Sequence, residues 1–257
     1  MTHTLQTAAL HTGGLHKAWG ALVVVDNVFF DLAPGARHAL IGPNGAGKTT
    51  FINLVTGELK PDQGEVRLYG EQITGLPANQ RVKRGLVRTF QINQLFMGLT
   101  VIDNVAMSIA EREGSAWQMF KPSGTYREHY EEAYALLAQM QLGAIAARAV
   151  RELAYGQQRL LEIAIALALK PRVLLLDEPA AGVPVSESAL VMEVLERLPA
   201  EVAVLLIEHD MELVFRFATR ITVLERGRVV CEGDPHDVAR DDHVRAIYFG
   251  ERGHAHA

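Results

Sequence analysis

Apolar residues recur along this chain with two different periods, and the switches between them predict an α/β architecture. Apolar runs at 22–30, 36–41, 173–176 and 202–207 have the length and the Val, Ile, Leu and Phe content of strands. The run at 173–176, Val-Leu-Leu-Leu, carries no polar residue, as expected of a strand covered on both faces in a parallel sheet. Between these runs lie segments of helical period. Phe51, Ile52, Leu54 and Val55 mark 49–56, and Leu160, Leu161, Ile163, Ala164, Leu167 and Ala168 mark 157–169. Leu190, Val191, Val194, Leu195 and Leu198 mark a third helix. Gly57 and Pro171 stand where the first two helices must stop.

Strand-like runs at 22–30 and 67–69, with Ala-Pro-Gly after the first, predict antiparallel edge strands ahead of 36–41. From about 95 to 150 strand signals fade. Thr100 and Asp103 make a capping-box-like start, and Tyr130, Ala133, Tyr134, Leu137 and Met140 recur at three and four residues. The stretch 114–125 holds Gly, Ser and Pro together with Trp117 and Phe120, a loop whose two large side chains suit a partner surface or the core. The segment I-T-V-L-E-R-G-R-V-V reads as a hairpin turning at Arg226 and Gly227. The expected organisation is one domain over 5–250: a core from 5–94 and 151–250, a helical subdomain over 95–150, and a flexible tail at 251–257. His254 and His256 in that tail read as disorder rather than a metal site.

Composition narrows the function by exclusion. A net charge of −5 over 257 residues and a pI near 6.1 argue against a nucleic-acid surface. Arg81, Lys83, Arg84 and Arg88 are spread over a segment that fits a solvated helix face as well as a partner contact. Cys231 is the only cysteine, which excludes an internal disulfide and suits a reducing cytosol. No stretch reaches the roughly 18 to 20 apolar residues that spanning a bilayer needs, so the chain is not expected to be a channel itself. The first residues lack the basic and apolar pattern of an export signal.

The chemistry lies at strand ends. G-P-N-G-A-G-K-T at 42–49 satisfies G-x-x-x-x-G-K-[ST]: glycines let backbone N–H groups curl around phosphates, Lys48 reaches the outer phosphates, and the Thr49 hydroxyl ligates Mg²⁺. The loop joins a strand to a helix, so the phosphates sit at a helix N-terminus. Asp177 and Glu178 follow the apolar strand at its C-terminal end, where open parallel sheets bind ligands. Asp177 then suits the Mg²⁺ shell and Glu178 the attacking water, a surface turn being the other reading of two acids there.

With these residues in place the resemblance is plain. The loop 42–49 and V-L-L-L-D-E-P at 173–179 are similar to the Walker A and Walker B motifs of ATP-binding cassette proteins, and L-A-Y-G-Q-Q at 153–158 resembles their signature sequence. The resemblance implies a P-loop core with a mixed or parallel central sheet, an antiparallel β edge and an inserted helical subdomain. It implies ATP contacts from Gly42, Pro43, Asn44, Gly45, Ala46, Gly47, Lys48, Thr49 and Thr50, and an adenine stacked on Trp19 in H-K-A-W-G. The other reading of Trp19 is a half-buried aromatic in an edge strand. Gln91 in R-T-F-Q would join Thr49 and Asp177 around Mg²⁺. Glu178 would act on the attacking water, and His209 in I-E-H-D would contact the γ-phosphate. Leu153, Ala154, Tyr155, Gly156 and Gln157 would cap ATP held by another subunit, so that one chain would not suffice for hydrolysis.

E-P-A-A-G at 178–182, L-L-I-E-H-D-M-E-L-V at 205–214, R-T-F-Q at 88–91 and the ending from E-G-D-P to A-I-Y-F-G-E are similar to the ATPases of branched-chain amino acid importers. That implies a peripheral subunit on the cytoplasmic face of a bacterial inner membrane. Its partners would be two permeases, a second ATPase (a copy of itself or a sibling) and, indirectly, a periplasmic binding protein. Urea, aromatic acids and lipid-linked cargo remain open, because cargo contacts belong to other subunits. A non-transport cassette would show a coiled-coil insertion, a tandem cassette or basic tails, and a non-hydrolysing regulator would not need Glu178 and His209. Two departures stand out. Ala154 replaces the usual serine of the signature, although these importers also read L-A-Y-G, and Val183-Pro184-Val185 replaces the polar-containing turn expected after Gly182.

Overall fold

Every residue of the strand Val173–Asp177 is buried, and that strand is where the fold is organised. The computed structural model describes residues 8–89, 95–114 and 123–249. In chain order the elements are β1 (Leu10–Trp19), β2 (Leu22–Leu32), β3 (Arg37–Ile41), α1 (Lys48–Thr56), β4 (Gln63–Leu68), β5 (Glu71–Gln72), α2 (Ala78–Lys83) and β6 (Leu86–Arg88). They continue with α3 (Val101–Arg112), α4 (Ser123–Gln139), α5 (Tyr155–Ala168), β7 (Val173–Asp177), α6 (Val185–Glu196), β8 (Ala203–Ile207) and α7 (Met211–Phe217). The described chain closes with β9 (Arg220–Glu225), β10 (Arg228–Gly233), α8 (Pro235–Arg240) and α9 (Asp242–Phe249).

The central sheet runs β10-β9-β3-β8-β7-β6. Its last five strands are parallel, and β10 joins antiparallel through the predicted hairpin. Side chains alternate along each strand, so the two faces of this sheet feed two cores. Leu174, Leu176, Val204, Leu206, Ala39 and Ile41 pack with the inner faces of α3 to α7. Val173, Leu175, Leu205, Ile207 and Leu40 pack with Phe51, Ile52 and Leu54 of α1 and with a second sheet. That sheet is antiparallel, in the order β2-β1-β4-β5. The continuous apolar runs of β7 and β8 therefore reflect cover on both sides rather than helical burial.

The helical stretch after β6 begins at the predicted cap. Thr100 Oγ1 accepts the N–H of Asp103, and Asp103 Oδ2 accepts the N–H of Thr100. Trp117 and Phe120 lie outside the described residues, as do the tail histidines. Among the described residues no helix is long and apolar enough to cross a membrane.

One expectation needs correction, and one alternative reading falls. Arg81 and Arg88 do not belong to a solvated face. Arg81 is 1% exposed and donates to the carbonyls of Leu54, Val55, Thr74 and Leu76, bracing the end of α1 against α2. Burial pulls its pKa down to about 10, which still leaves it charged near neutral pH. Nor does Trp19 end an edge strand. Its strand β1 is internal to the antiparallel sheet, paired on both sides, and the indole is 54% exposed at the strand's tip.

Candidate functional site

At the C-terminal end of β3 the chain turns through 42–47 into α1, whose first turn carries no acidic residue to oppose an anion. Gly47 caps that helix at φ 100°, and a Cβ there would lie 2.4 Å from the carbonyl oxygen of Val24. Only glycine fits both the conformation and the space. The predicted hairpin turn supports the loop from below: Gly227 N–H donates to Ala46 O at 2.8 Å, and Asp26 N–H donates to Gly227 O at 2.8 Å. Lys48 Nζ curls back over the loop and donates to the carbonyls of Gly42 and Pro43. Burial lowers the Lys48 pKa, and Glu178 and Asp177 act against that shift through their negative charge. The loop lysine and the two acids of β7 thus lie within electrostatic reach of one another, across the sheet position that β8 occupies between β3 and β7.

Asp177 is 5% exposed, and its Oδ2 accepts a hydrogen bond from Arg88 Nη2 at 2.6 Å. Arg88 Nη1 also donates to Asn53 Oδ1 of α1 at 2.7 Å, so one guanidinium joins β6, β7 and the helix of the phosphate loop. Glu178 sits in the left-handed region at φ 46°, and its N–H donates to Ile207 O at 2.9 Å. This bond closes the end of β7 onto the end of β8. His209 is 63% exposed on its side chain. Its Nδ1 lies 3.8 Å from Glu178 Oε1 and 3.7 Å from Glu208 Oε2, close enough for electrostatic attraction but too far for a hydrogen bond.

The signature-like segment precedes α5. Ala154 N–H donates to Gln157 Oε1 at 3.1 Å, half of a capping box that a serine at 154 would complete. Gly156 N–H donates to Glu187 Oε2 of α6 at 2.8 Å, so the amide expected to meet an anion already meets a carboxylate of its own chain. Leu153 is buried, and Tyr155 takes Arg159 against its ring and hydroxyl. Val183 packs on the core and Pro184 precedes α6 in extended conformation, which accounts for an apolar residue and a proline in that turn. Lys17 Nζ stands 5.0 Å from the centre of the Trp19 ring, with Asp62 holding its other side. Thr49 and Asn44 are exposed at the loop. Gln91 lies outside the described residues, two positions beyond Thr89, whose N–H continues the β6 ladder onto Leu175 O.

Three residues of the site carry little local signal in the sequence: Arg88, Glu187 and Glu208. Glu208 is 1% exposed, between two strand-end loops. Burial pushes its carboxyl above the usual carboxylate range, the hydrogen bonds it accepts from the N–H groups of Ala180 and His209 pull the other way, and the charge of Glu178 adds a smaller upward push. The one sequence signal of Glu208 is its position, an acid immediately after the fully apolar strand β8.

Residues 25–181 match a family model described as ABC transporter. The high-affinity branched-chain amino acid transport ATP-binding protein BraF of Pseudomonas aeruginosa is 38% identical over 249 residues, covering 94% of this chain and 98% of that protein. Its counterpart LivG of Escherichia coli K12 is 39% identical over the same shares. Among solved structures, a nucleotide-free ATP-binding cassette from an ABC transporter superposes with a TM-score of 0.81 at 29% identity, over 95% of this chain and 99% of that one.

Proposed function

Because the chain belongs to the ABC transporter family of ATP-binding, ATP-hydrolysing subunits, we propose that it powers import of branched-chain amino acids at the cytoplasmic face of a bacterial inner membrane. It works there as a peripheral subunit with two permeases and a second ATPase, on cargo delivered by a periplasmic binding protein. The observation that carries the hydrolytic part is the glycine-capped turn from β3 into α1, with Lys48 folded over its carbonyls and Asp177 and Glu178 at the end of β7 within electrostatic reach. The cargo rests on BraF and LivG, both named for branched-chain amino acid transport and alike over nearly the whole chain.

In this reading residues 42–50 cradle the phosphates, with Lys48 leaving the loop carbonyls to meet the outer phosphate oxygens. The Thr49 hydroxyl, Asp177 and Gln91 are the Mg²⁺ ligands. A hydroxyl and a carboxylate suit a hard cation, and Arg88 engages only Oδ2 of Asp177, which leaves the second oxygen for metal or metal-bound water. When bound, Mg²⁺ neutralises charge that develops on the phosphate oxygens. Glu178 orients the attacking water and accepts its proton, and His209 contacts the γ-phosphate from the end of β8. Trp19 stacks on adenine with its open face. Gly156 N–H, together with Leu153, Ala154, Tyr155 and Gln157, caps the ATP of the opposite subunit. A cleft of about 980 Å³ between α2, α3 and the end of α5, with exposed Phe96 and Met107 on its wall, is the docking surface for a permease loop.

Mg²⁺-ATP hydrolysis by the purified chain, followed against its own concentration with Glu178→Gln as the blank, tests this reading. A rate per chain that rises with concentration supports paired cassettes of this chain, and a rate at the blank's level despite tight ATP binding assigns the other half to a sibling subunit. Failure to bind ATP ends the proposal. Uptake of labelled leucine and urea in cells lacking the chain tests the cargo, and loss of urea uptake alone would overturn it.

A further inference from the structure

Glu208 is the most buried carboxylate among the described residues, and its two oxygens serve different loops. Oε1 accepts the N–H of Ala180 at 3.2 Å, two residues beyond Glu178. Oε2 accepts the N–H of His209 at 3.1 Å. The loop that receives the first bond is a closed unit: Ala181 N–H donates to Glu178 O at 3.0 Å, and Val183 N–H donates to Ala180 O at 3.1 Å. Glu178 N–H ties the same unit to Ile207 O at 2.9 Å. A displacement of 178–183 therefore reaches His209 by two short routes, through the β8 backbone and through one side chain. Taking a carboxylate out of water is costly, and a neutral residue could end β8 without that penalty. An acid here must return something that a neutral residue cannot, and simultaneous acceptance from two backbone N–H groups on separate loops is what this one does.

We propose that Glu208 is a positioning residue of the hydrolytic reaction, coupling the 178–183 loop to His209 so that the loop's setting decides where the histidine stands. The proposal rests on the assignment of Glu178 and His209 to hydrolysis. A shift of the loop that follows Glu178 thus reaches, through Glu208, the residue assigned to the γ-phosphate. A glutamine at 208 keeps the volume but offers one acceptor oxygen and turns an NH₂ toward the other N–H, so one link is lost directly, and because the same side chain holds both ends, a coupled loop and histidine must loosen together.

The test compares wild type, Glu208→Gln and the Glu178→Gln blank in the hydrolysing assembly, reading kcat, KM, ATP stoichiometry and the exchange rates of the Ala180 and His209 amides. The expected result for Glu208→Gln is a kcat lower by about 10- to 100-fold, with KM and stoichiometry within about twofold of wild type. Both amides should exchange faster. A wild-type kcat, a loss confined to ATP stoichiometry, or faster exchange at only one of the two amides overturns the coupling. If wild type itself does not exceed the Glu178→Gln blank, the hydrolytic reading falls. The exchange rates then decide the link alone: joint acceleration upholds it, and independent behaviour removes it.

Discussion

Arg88 Nη2 and Asp177 Oδ2 are 2.6 Å apart, and both side chains are less than one tenth exposed. The candidate metal ligand is thus held by a guanidinium that also grips Asn53 of α1. Breaking a buried pair by removing one partner leaves an uncompensated charge and costs about 3 to 5 kcal/mol. Arg88→Ala is expected to lose that much, read as a lower urea midpoint at unchanged slope. Pairing it with Asp177→Asn should recover a large part of the loss. Additive losses in the double variant would show that the two groups are not coupled.

Lys48→Ala and Glu178→Gln should separate binding from turnover. The first removes the cation that lies over the loop carbonyls and should weaken ATP binding before anything else. The second keeps every contact of the loop and should bind ATP normally while losing about 100-fold or more in kcat. Equilibrium binding of a fluorescent ATP analogue, alongside phosphate release, checks both. Equal hydrolysis in the two variants would sink the assigned roles.

His38 makes stability depend on pH. Its ring is buried at the start of β3, against Phe30 and 2.8 Å from Thr222 Oγ1. Thr222 donates its hydroxyl proton to Glu232 Oε2, so His38 Nε2 must carry a proton and donate. Burial lowers the His38 pKa to about 4, whereas the unfolded chain titrates near 6.5. Between these values the unfolded state binds more protons, so stability falls as pH drops from about 6.5 toward 4, by roughly 3 kcal/mol in total. Chemical denaturation at pH 7 and pH 5 should show the decline, and His38→Gln should flatten it. An equal slope in both proteins would refute the assignment.

Gly156→Ala should separate folding from pairing. The added Cβ would lie 2.5 Å from Glu187 Oε2, which can swing away, and 3.0 Å from Glu187 Cβ, which asks a few tenths of an ångström between α5 and α6, so the fold should lose only modestly. The amide's approach to a second subunit's phosphate would be obstructed all the same. A melting temperature within a few degrees of wild type, with loss of the ATP-dependent dimer in a Glu178→Gln background on size exclusion, is the expected outcome. A retained dimer would free Gly156 from the role.

Much of the site is visible in the chain because its motifs are local. The spacing from Gly42 to Thr49 dictates a turn into a helix, and the apolar run ending at Asp177 dictates a buried strand with acids at its tip. Thr100 and Asp103 likewise cap α3 across three residues. The arginines at 81 and 88 do not lie where the local pattern puts them, and the edge-strand alternative for Trp19 fails for the same reason. Whether a strand lies at an edge, or a cation at the surface, depends on partners dozens of residues away. Arg81 finds its carbonyls in α1, and Arg88 finds its acid 89 positions later.

Periodicity, turn glycines and the phosphate-loop spacing were enough by themselves to determine an α/β nucleotide-binding chain, since each acts through backbone geometry over a few residues. Tertiary structure alone decided what Arg88, Glu187 and Glu208 do. A buried acid or cation is stable only where the fold brings it a partner: Asp177 for Arg88, and the backbone N–H of Ala180 for Glu208. No local pattern encodes such a meeting.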